Sequence, residues 1–352
     1  MRRLFSCASL FGLLAGLVLA SGQCQTLSAA EKPKPEFLPL ADKGTVSFEP
    51  ADAERDIPEP FRQVAHDFEY TAQPMEGFTS SKASKIVRMS KVTFPSPVET
   101  DEIPNRTVHA EYFQPAGKGP FPAVVVLHIL GGDFVLSETI ANHLARNGIA
   151  AMFVKMPYYG ERRSSGRRMI SKDPHETVSG MTQGVLDIRR AAAWLSARPE
   201  VDKTRLGITG ISLGGIMSAL AGGIEPRFTS VAIYLGGGNF AEIVWNRPEA
   251  EAVEFREKWL ANGGSRESFA AVLNMVDPLT YGPRLKGRRV LFVAAKNDEV
   301  IPPACAVALY ESIGKEPQMV WLDAGHYTAA RFLPLELMRL HVFFQGKTAI
   351  AK

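Results

Sequence analysis

Cysteine is scarce in this chain, with three among 352 residues. Cys7 lies just ahead of an N-terminal apolar run and Cys24 just beyond it, which leaves Cys305 as the one thiol certain to belong to the folded part. That count argues against a disulfide framework. Cys305 follows Pro302-Pro303 at the start of an apparent helix and reads as a buried small hydrophobe. The histidines and acids lack the spacing of a metal-ligand set. Neither charge sign is in large excess: the formal net charge is +3, which gives no sign of a nucleic-acid surface. There is no internal repeat and no low-complexity tract in the core region.

Long apolar runs are missing too. The run Leu10 to Ala20 falls short of the ~20 residues a membrane-spanning helix needs, so stable membrane insertion is not expected. Behind Arg2 and Arg3, and ahead of small residues, it reads as a secretory signal. Both Ala20-Ser21-Gly22 and Ser28-Ala29-Ala30 suit cleavage, so the cut falls after Gly22 or after Ala30. Residues 1–30 are therefore assigned to a signal peptide and the chain is expected to be exported to the periplasm or beyond. Lipid attachment through Cys24 is the weaker reading, because Gln23 is a poor residue to precede a modified cysteine.

What remains can build one large core, since 45% of the residues are apolar. Residues 31 to about 60, with prolines at 33, 35, 58 and 60, read as an extended tether, and 31–84 as tether and leading segment. From Lys85 to Phe94 and from Arg106 to Phe113, apolar and polar residues alternate as in half-exposed antiparallel strands. Ala123 to Leu127 is instead continuously apolar and β-branched, as in a strand covered on both faces. Helical and buried-strand patterns then take turns: helix from Ser137 to Asn147, strand from Ile149 to Val154, and a helix face of Val185, Ile188, Ala192 and Leu195. Further strands are expected at Arg205 to Thr209, Val231 to Leu235, Val290 to Ala295 and Met319 to Leu322. Such alternation implies an α/β fold with a mostly parallel sheet flanked by helices, over residues 85–346. Tyr158 to Gly184 reads as a basic loop. Residues 239–282 read as an insertion with two helices over the C-terminal edge, where open α/β sheets bind ligands.

The chemistry centres on Gly210-Ile211-Ser212-Leu213-Gly214, a G-x-S-x-G stretch between a strand-like run and helix-compatible small residues. In that setting the serine stands on a sharp strand-to-helix turn and its side chain projects from the sheet edge. The Leu213 N–H opens the helix and can face a developing oxyanion. A serine hydroxyl needs a base, and the base needs a group that fixes its tautomer. Asp298 and His326 each fall just past a predicted strand, on the same edge as Ser212. Glu299 and Asp323 are the rival acids; Asp323 is more plausibly a brace for the histidine loop. His341 fits the face of a closing helix, and His128 a structural hydrogen-bonder beside the first strand-to-helix turn.

With this elbow, this Ser–Asp–His order and these strand positions, residues 85–346 resemble the α/β-hydrolases, closest to the dienelactone-hydrolase and bacterial carboxylesterase group. The resemblance implies an α/β-hydrolase fold, Ser212 as nucleophile, His326 as base and Asp298 as orienting acid. It places the second oxyanion donor in the turn His128-Ile129-Leu130-Gly131-Gly132, at Leu130 by position, with Ile129 the close alternative. The function implied is hydrolysis of a small-molecule or carbohydrate ester, which needs no metal or organic cofactor. Peptidase or amidase action is the same-chemistry alternative, although residues 31–84 leave no room for the propeller domain of the oligopeptidases. A non-catalytic binder that kept the fold is the alternative of another class. Arg162, Arg163, Arg167 and Arg168, with Tyr158 and Tyr159, form the one charge cluster near the predicted mouth. They read either as a solvated basic loop or as a substrate-binding site, with Tyr159, Arg162 and Arg163 meeting an acidic group. Oligomeric state and ester specificity are not legible.

Overall fold

The computed structural model describes residues 36–41, 43–50, 55–75, 86–247, 250–314 and 318–346. The assigned signal peptide lies outside them. One ten-stranded sheet runs through the described part in the order β1-β2-β3-β4-β6-β5-β7-β8-β9-β10. Its strands are β1 (Lys43–Phe48), β2 (His66–Pro74), β3 (Val87–Pro95), β4 (Thr107–Pro115), β5 (Phe121–Leu127), β6 (Ala150–Lys155), β7 (Val201–Ile211), β8 (Phe228–Tyr234), β9 (Arg289–Ala295) and β10 (Gln318–Leu322). The first four are antiparallel, and β4 meets β6 antiparallel. From β6 through β5, β7, β8 and β9 to β10 every pairing is parallel. The parallel strands therefore present their C-terminal ends at one edge.

Alternation along β5 divides the core. Ala123, Val125 and Leu127 enter one apolar layer, Val124 and Val126 the other. The first layer packs under α2 (Pro174–Ser196), α3 (Leu213–Ile224) and α8 (Pro303–Ile313); the second lies under α1 (Val135–Arg146) and α9 (Leu333–Phe344). This is a mostly parallel sheet with helices on both faces, as the alternation of patterns predicts.

Three stretches differ from the sequence reading. The tether contains β1, which contributes Val46 and Phe48 to the core, and β2 follows with Phe68, Tyr70 and Ala72 turned inward. Six residues between proline-rich stretches carry too short an alternation to read as a strand. They pair antiparallel with β2, and Arg189 and Arg227 lie over the Phe48 ring at 5.2 and 4.8 Å; the neighbouring chain is held by Arg189 donating to the Phe61 carbonyl at 2.5 Å, Arg227 to that of Glu49 at 2.5 Å, and Arg198 to the Tyr70 hydroxyl at 3.0 Å. The basic loop is shorter than expected, because α2 begins at Pro174 behind Asp173, whose carboxylate accepts the His175 N–H at 2.8 Å. An N-cap aspartate followed by proline at the first helical position is a helix start that polar composition concealed. The insertion holds α4 (Phe240–Trp245), α5 (Ala250–Ala261), α6 (Arg266–Leu273) and α7 (Pro278–Tyr281) rather than two helices. Asp277 ties its two ends by accepting from the Phe240 and Leu279 N–H groups at 2.6 and 2.8 Å.

Candidate active site

Non-glycine residues with positive φ gather where strands end: Tyr158 at 67° after β6, Ser212 at 58° after β7, Leu235 at 48° after β8, and Asn239 at 55° before α4. Such backbone is costly for residues with a β-carbon, and it clusters where a fold holds side chains against their preference. At Ser212 the turn is imposed from both sides. The Ser212 N–H donates to the Tyr234 carbonyl at 2.9 Å, while its own carbonyl accepts from Ile216 N–H at 3.0 Å as α3 begins. The flanking glycines are sterically required: a β-carbon on Gly210 would sit 2.6 Å from the Gly214 backbone, and one on Gly214 would sit 2.7 Å from the Leu127 carbonyl oxygen.

The sheet edge brings Ser212, His326 and Asp298 together. His326 Nε2 lies 2.9 Å from Ser212 Oγ, and its Nδ1 lies 3.0 and 2.9 Å from the two Asp298 carboxylate oxygens. With the Nδ1 proton donated to the carboxylate, the Nε2 lone pair faces the serine hydroxyl, so this ring can accept the serine proton. Asp298 Oδ1 also accepts from Val300 and Ile301 N–H at 2.9 and 2.7 Å, which fixes the carboxylate in its loop. Asp298 and His326 are buried while Ser212 is partly exposed, so the hydroxyl end of the chain is open to a substrate. The rival acids do not reach the imidazole: Glu299 accepts instead from the His326 main-chain N–H at 2.8 Å, and the Asp323 side chain is exposed.

His128 organises the turn after β5. Its Nε2 accepts the Met156 N–H at 3.1 Å, so the ring proton sits on Nδ1 and is donated to the Ile129 carbonyl at 2.8 Å. Gly132 N–H donates to the same carbonyl at 3.2 Å. In a trans peptide the N–H opposes the C=O, so the Leu130 N–H is turned away from these partners. Leu130 itself is 39% exposed. Leu213 is the first residue of α3, where N–H groups lack partners within the helix.

The arginine cluster divides. Arg162 is 0% exposed: it pairs with Asp187 at 2.7 Å and donates to the carbonyls of Lys155 and Asn105 at 3.1 Å each. The expectation that Arg162 meets substrate is therefore corrected, because its guanidinium is consumed inside the protein. The reason is Asp187 on α2, a buried carboxylate that burial pushes toward its neutral form and the Arg162 charge pulls back. Arg167 pairs with Glu176 and Glu102. Arg163 stays exposed beside Tyr159; a β-carbon on Gly132 would lie 2.9 Å from the Tyr159 ring and 3.7 Å from Arg163 Nη2. Tyr159 packs edge-on against His128 with ring centroids 4.4 Å apart, and burial pushes its hydroxyl up to about 12. Elsewhere His341 lies 3.0 Å from His143 between α9 and α1, and Cys305 is buried with its thiol pushed up to about 11. Among the described residues no group of three or more His, Cys, Asp or Glu could hold a metal ion, and no helix is long and apolar enough to cross a membrane.

This arrangement of sheet and elbow is the α/β-hydrolase fold. Residues 108–270 match the model of the Dienelactone hydrolase family. Among solved structures, the chain is similar to an acetyl xylan esterase from Paenibacillus sp. R4, with a TM-score of 0.64 at 19% identity over 79% of this chain and 89% of that one. It is also similar to acetyl xylan esterase 1 from Thermoanaerobacterium sp. JW/SL YS485, with a TM-score of 0.60 at 21% identity over 77% and 87%. An uncharacterized protein of Mycobacterium tuberculosis (strain ATCC 25618 / H37Rv) is 24% identical over 51% of this chain. The chain spans 42% of that relative's length.

The buried His128 supplies a pH test. Burial, above all, pushes its pKa down to about 4 from 6.5, while its bond to Ile129 opposes the shift and Arg162 and Lys155 assist it. The unfolded chain therefore takes up this proton first, so the contribution is fully present above pH 6.5 and is lost as pH falls toward 4. A shift of this size corresponds to on the order of 3 kcal/mol. His143, also held down by burial and by His341, adds to the same slope. Denaturant unfolding between pH 7 and 4 is expected to show a shallower loss of stability in His128→Gln than in wild type; parallel curves would contradict the assignment.

Proposed function

We propose that this protein is an exported serine hydrolase that cleaves carboxylic esters. One observation carries the reading: Asp298, His326 and Ser212 stand in a continuous line of hydrogen bonds that ends at a strained, partly exposed elbow. Ser212 attacks the ester carbonyl as His326 Nε2 takes its proton, and the Leu213 and Leu130 N–H groups receive the oxyanion. His326 returns the proton to the leaving alcohol, Asp298 stabilises the charged ring, and water then frees the acyl group by the same steps. The match to the Dienelactone hydrolase family over residues 108–270 supports ester hydrolysis. Since two similar structures are acetyl xylan esterases, acetylated carbohydrates belong first in a substrate screen beside simple esters of varied chain length. Export rests on Arg2, Arg3 and the apolar run Leu10 to Ala20.

Ser212→Ala is expected to lower ester turnover by ~10⁴ or more with the fold intact. Asp298→Asn, which favours the wrong tautomer, is expected to cost on the order of 10³ to 10⁴, and Asp323→Asn far less. Steady-state kinetics on a chromogenic ester check both; wild-type turnover in Ser212→Ala would remove the nucleophile, and a reversed ranking would move the acid to Asp323.

Substrate contact at the mouth is assigned to Tyr159 and the exposed Arg163. A carboxylate-bearing ester is expected to gain over its neutral analogue through Arg163, with the gain shrinking as salt is added. Comparing both esters in wild type and Arg163→Ala tests this, and equal losses on the two esters would return Arg163 to a solvated role.

A further inference from the structure

We infer that Glu299 is a positioning residue, whose carboxylate clamps the main chain of the loop that carries His326. The inference rests on the reading of Ser212, His326 and Asp298 as the reacting set. The acid loop after β9 and the histidine loop after β10 run side by side, prolonging the parallel ladder: Lys296 N–H donates to the Leu322 carbonyl at 2.9 Å and Asn297 N–H to that of Ala324 at 3.0 Å. Beyond this point the ladder stops and side chains take over. Asp298 grips the imidazole, and its neighbour Glu299 grips the peptide to which that imidazole is attached, with Oε2 accepting the His326 N–H at 2.8 Å. The bond from the His326 N–H, followed by the residue's own main-chain N–H, holds the Glu299 carboxyl below its ordinary range.

The approach is close. A β-carbon on Gly325 would lie 2.5 Å from Glu299 Oε2 and 3.1 Å from the Asn297 carbonyl oxygen, so any larger residue before the histidine would make the carboxylate shift from its present position. On the other side of the loop Gly325 N–H donates to Thr328 Oγ1 at 2.9 Å. His326 is thus held at its ring by one acid and at its backbone by the next residue along the chain. A base positioned only through its ring could pivot about its own Cα; a base held at both ends has one orientation toward Ser212, and small displacements of a reacting group are costly in rate.

The test compares Glu299→Ala, Glu299→Gln and Asp323→Asn with wild type, and Ser212→Ala is run alongside. Glu299→Ala is expected to lower kcat about tenfold with little change in KM, since the reacting geometry loosens while substrate contacts stay. Glu299→Gln keeps an acceptor oxygen and is expected to recover most of that loss, which a general effect of removing charge would not do. Amide hydrogen exchange in the peptide spanning 323–330 is expected to speed up about tenfold in Glu299→Ala and to stay close to wild type in Asp323→Asn. Unchanged exchange and kcat in Glu299→Ala, a glutamine variant as impaired as alanine, or a loss that follows a lowered Tm without faster loop exchange would each overturn the clamp. If instead Ser212→Ala turns over ester like wild type, the proposed function fails, while the exchange measurement still decides whether Glu299 holds the loop.

Discussion

The site depends on how closely the first turn of α3 approaches the ends of β5 and β7. With Gly214 carrying no side chain, the helix start lies against the Leu127 and His128 carbonyls, closer than any β-carbon would permit. That contact sets the pitch of the chain between β7 and α3 and drives Ser212 into positive φ. It also places the helix N-terminus, with its unpaired N–H groups and positive dipole end, next to the turn after β5. The exposed turn at Ser212 and the open N–H end of α3 are therefore consequences of one packing contact, and the strain at Ser212 is offset by the parallel strands and apolar helix buried around it.

Around this centre, loops are held by buried polar networks rather than by length of sheet. Arg162, Asp187 and Asn105 fix the segment after β6, and Asn105 Oδ1 accepts the N–H of the strained Tyr158 at 3.2 Å. Arg189 and Glu225 pair at 2.9 Å beneath the first two strands, both fully removed from water. Removing one member of a buried pair like these leaves a charge uncompensated, at a cost of roughly 3–5 kcal/mol. Arg162 and Arg189 thus act inward, while Arg163 keeps an outward charge beside the turn that Tyr159 and His128 support.

How much of this was legible in the sequence follows from which signals are local. The elbow is five contiguous residues with a steric meaning, and Asp298 and His326 each follow an apolar strand, so the parallel sheet and the meeting of three side chains could be anticipated. Arg162 and Arg163 are adjacent and chemically alike, but one is buried and the other exposed; the difference lies in Asp187, which comes from another element 25 residues on. No pattern in one dimension carries that information. The strand β1 was hidden for the same reason, since six residues between proline-rich stretches become a strand only when β2 and the arginines of α2 receive them. Glu299 was visible as an acid beside an acid, and only the parallel course of two loops separates the residue that meets the ring from the one that meets the peptide.

The central claim is that Ser212 is an activated nucleophile, and covalent trapping reads it most directly. Incubating the protein with a fluorophosphonate and mapping the adduct by peptide mass spectrometry should give one phosphonylated residue, Ser212, and no adduct once His326 is replaced by alanine. An unlabelled protein, labelling at another residue, or undiminished labelling in His326→Ala would contradict the account.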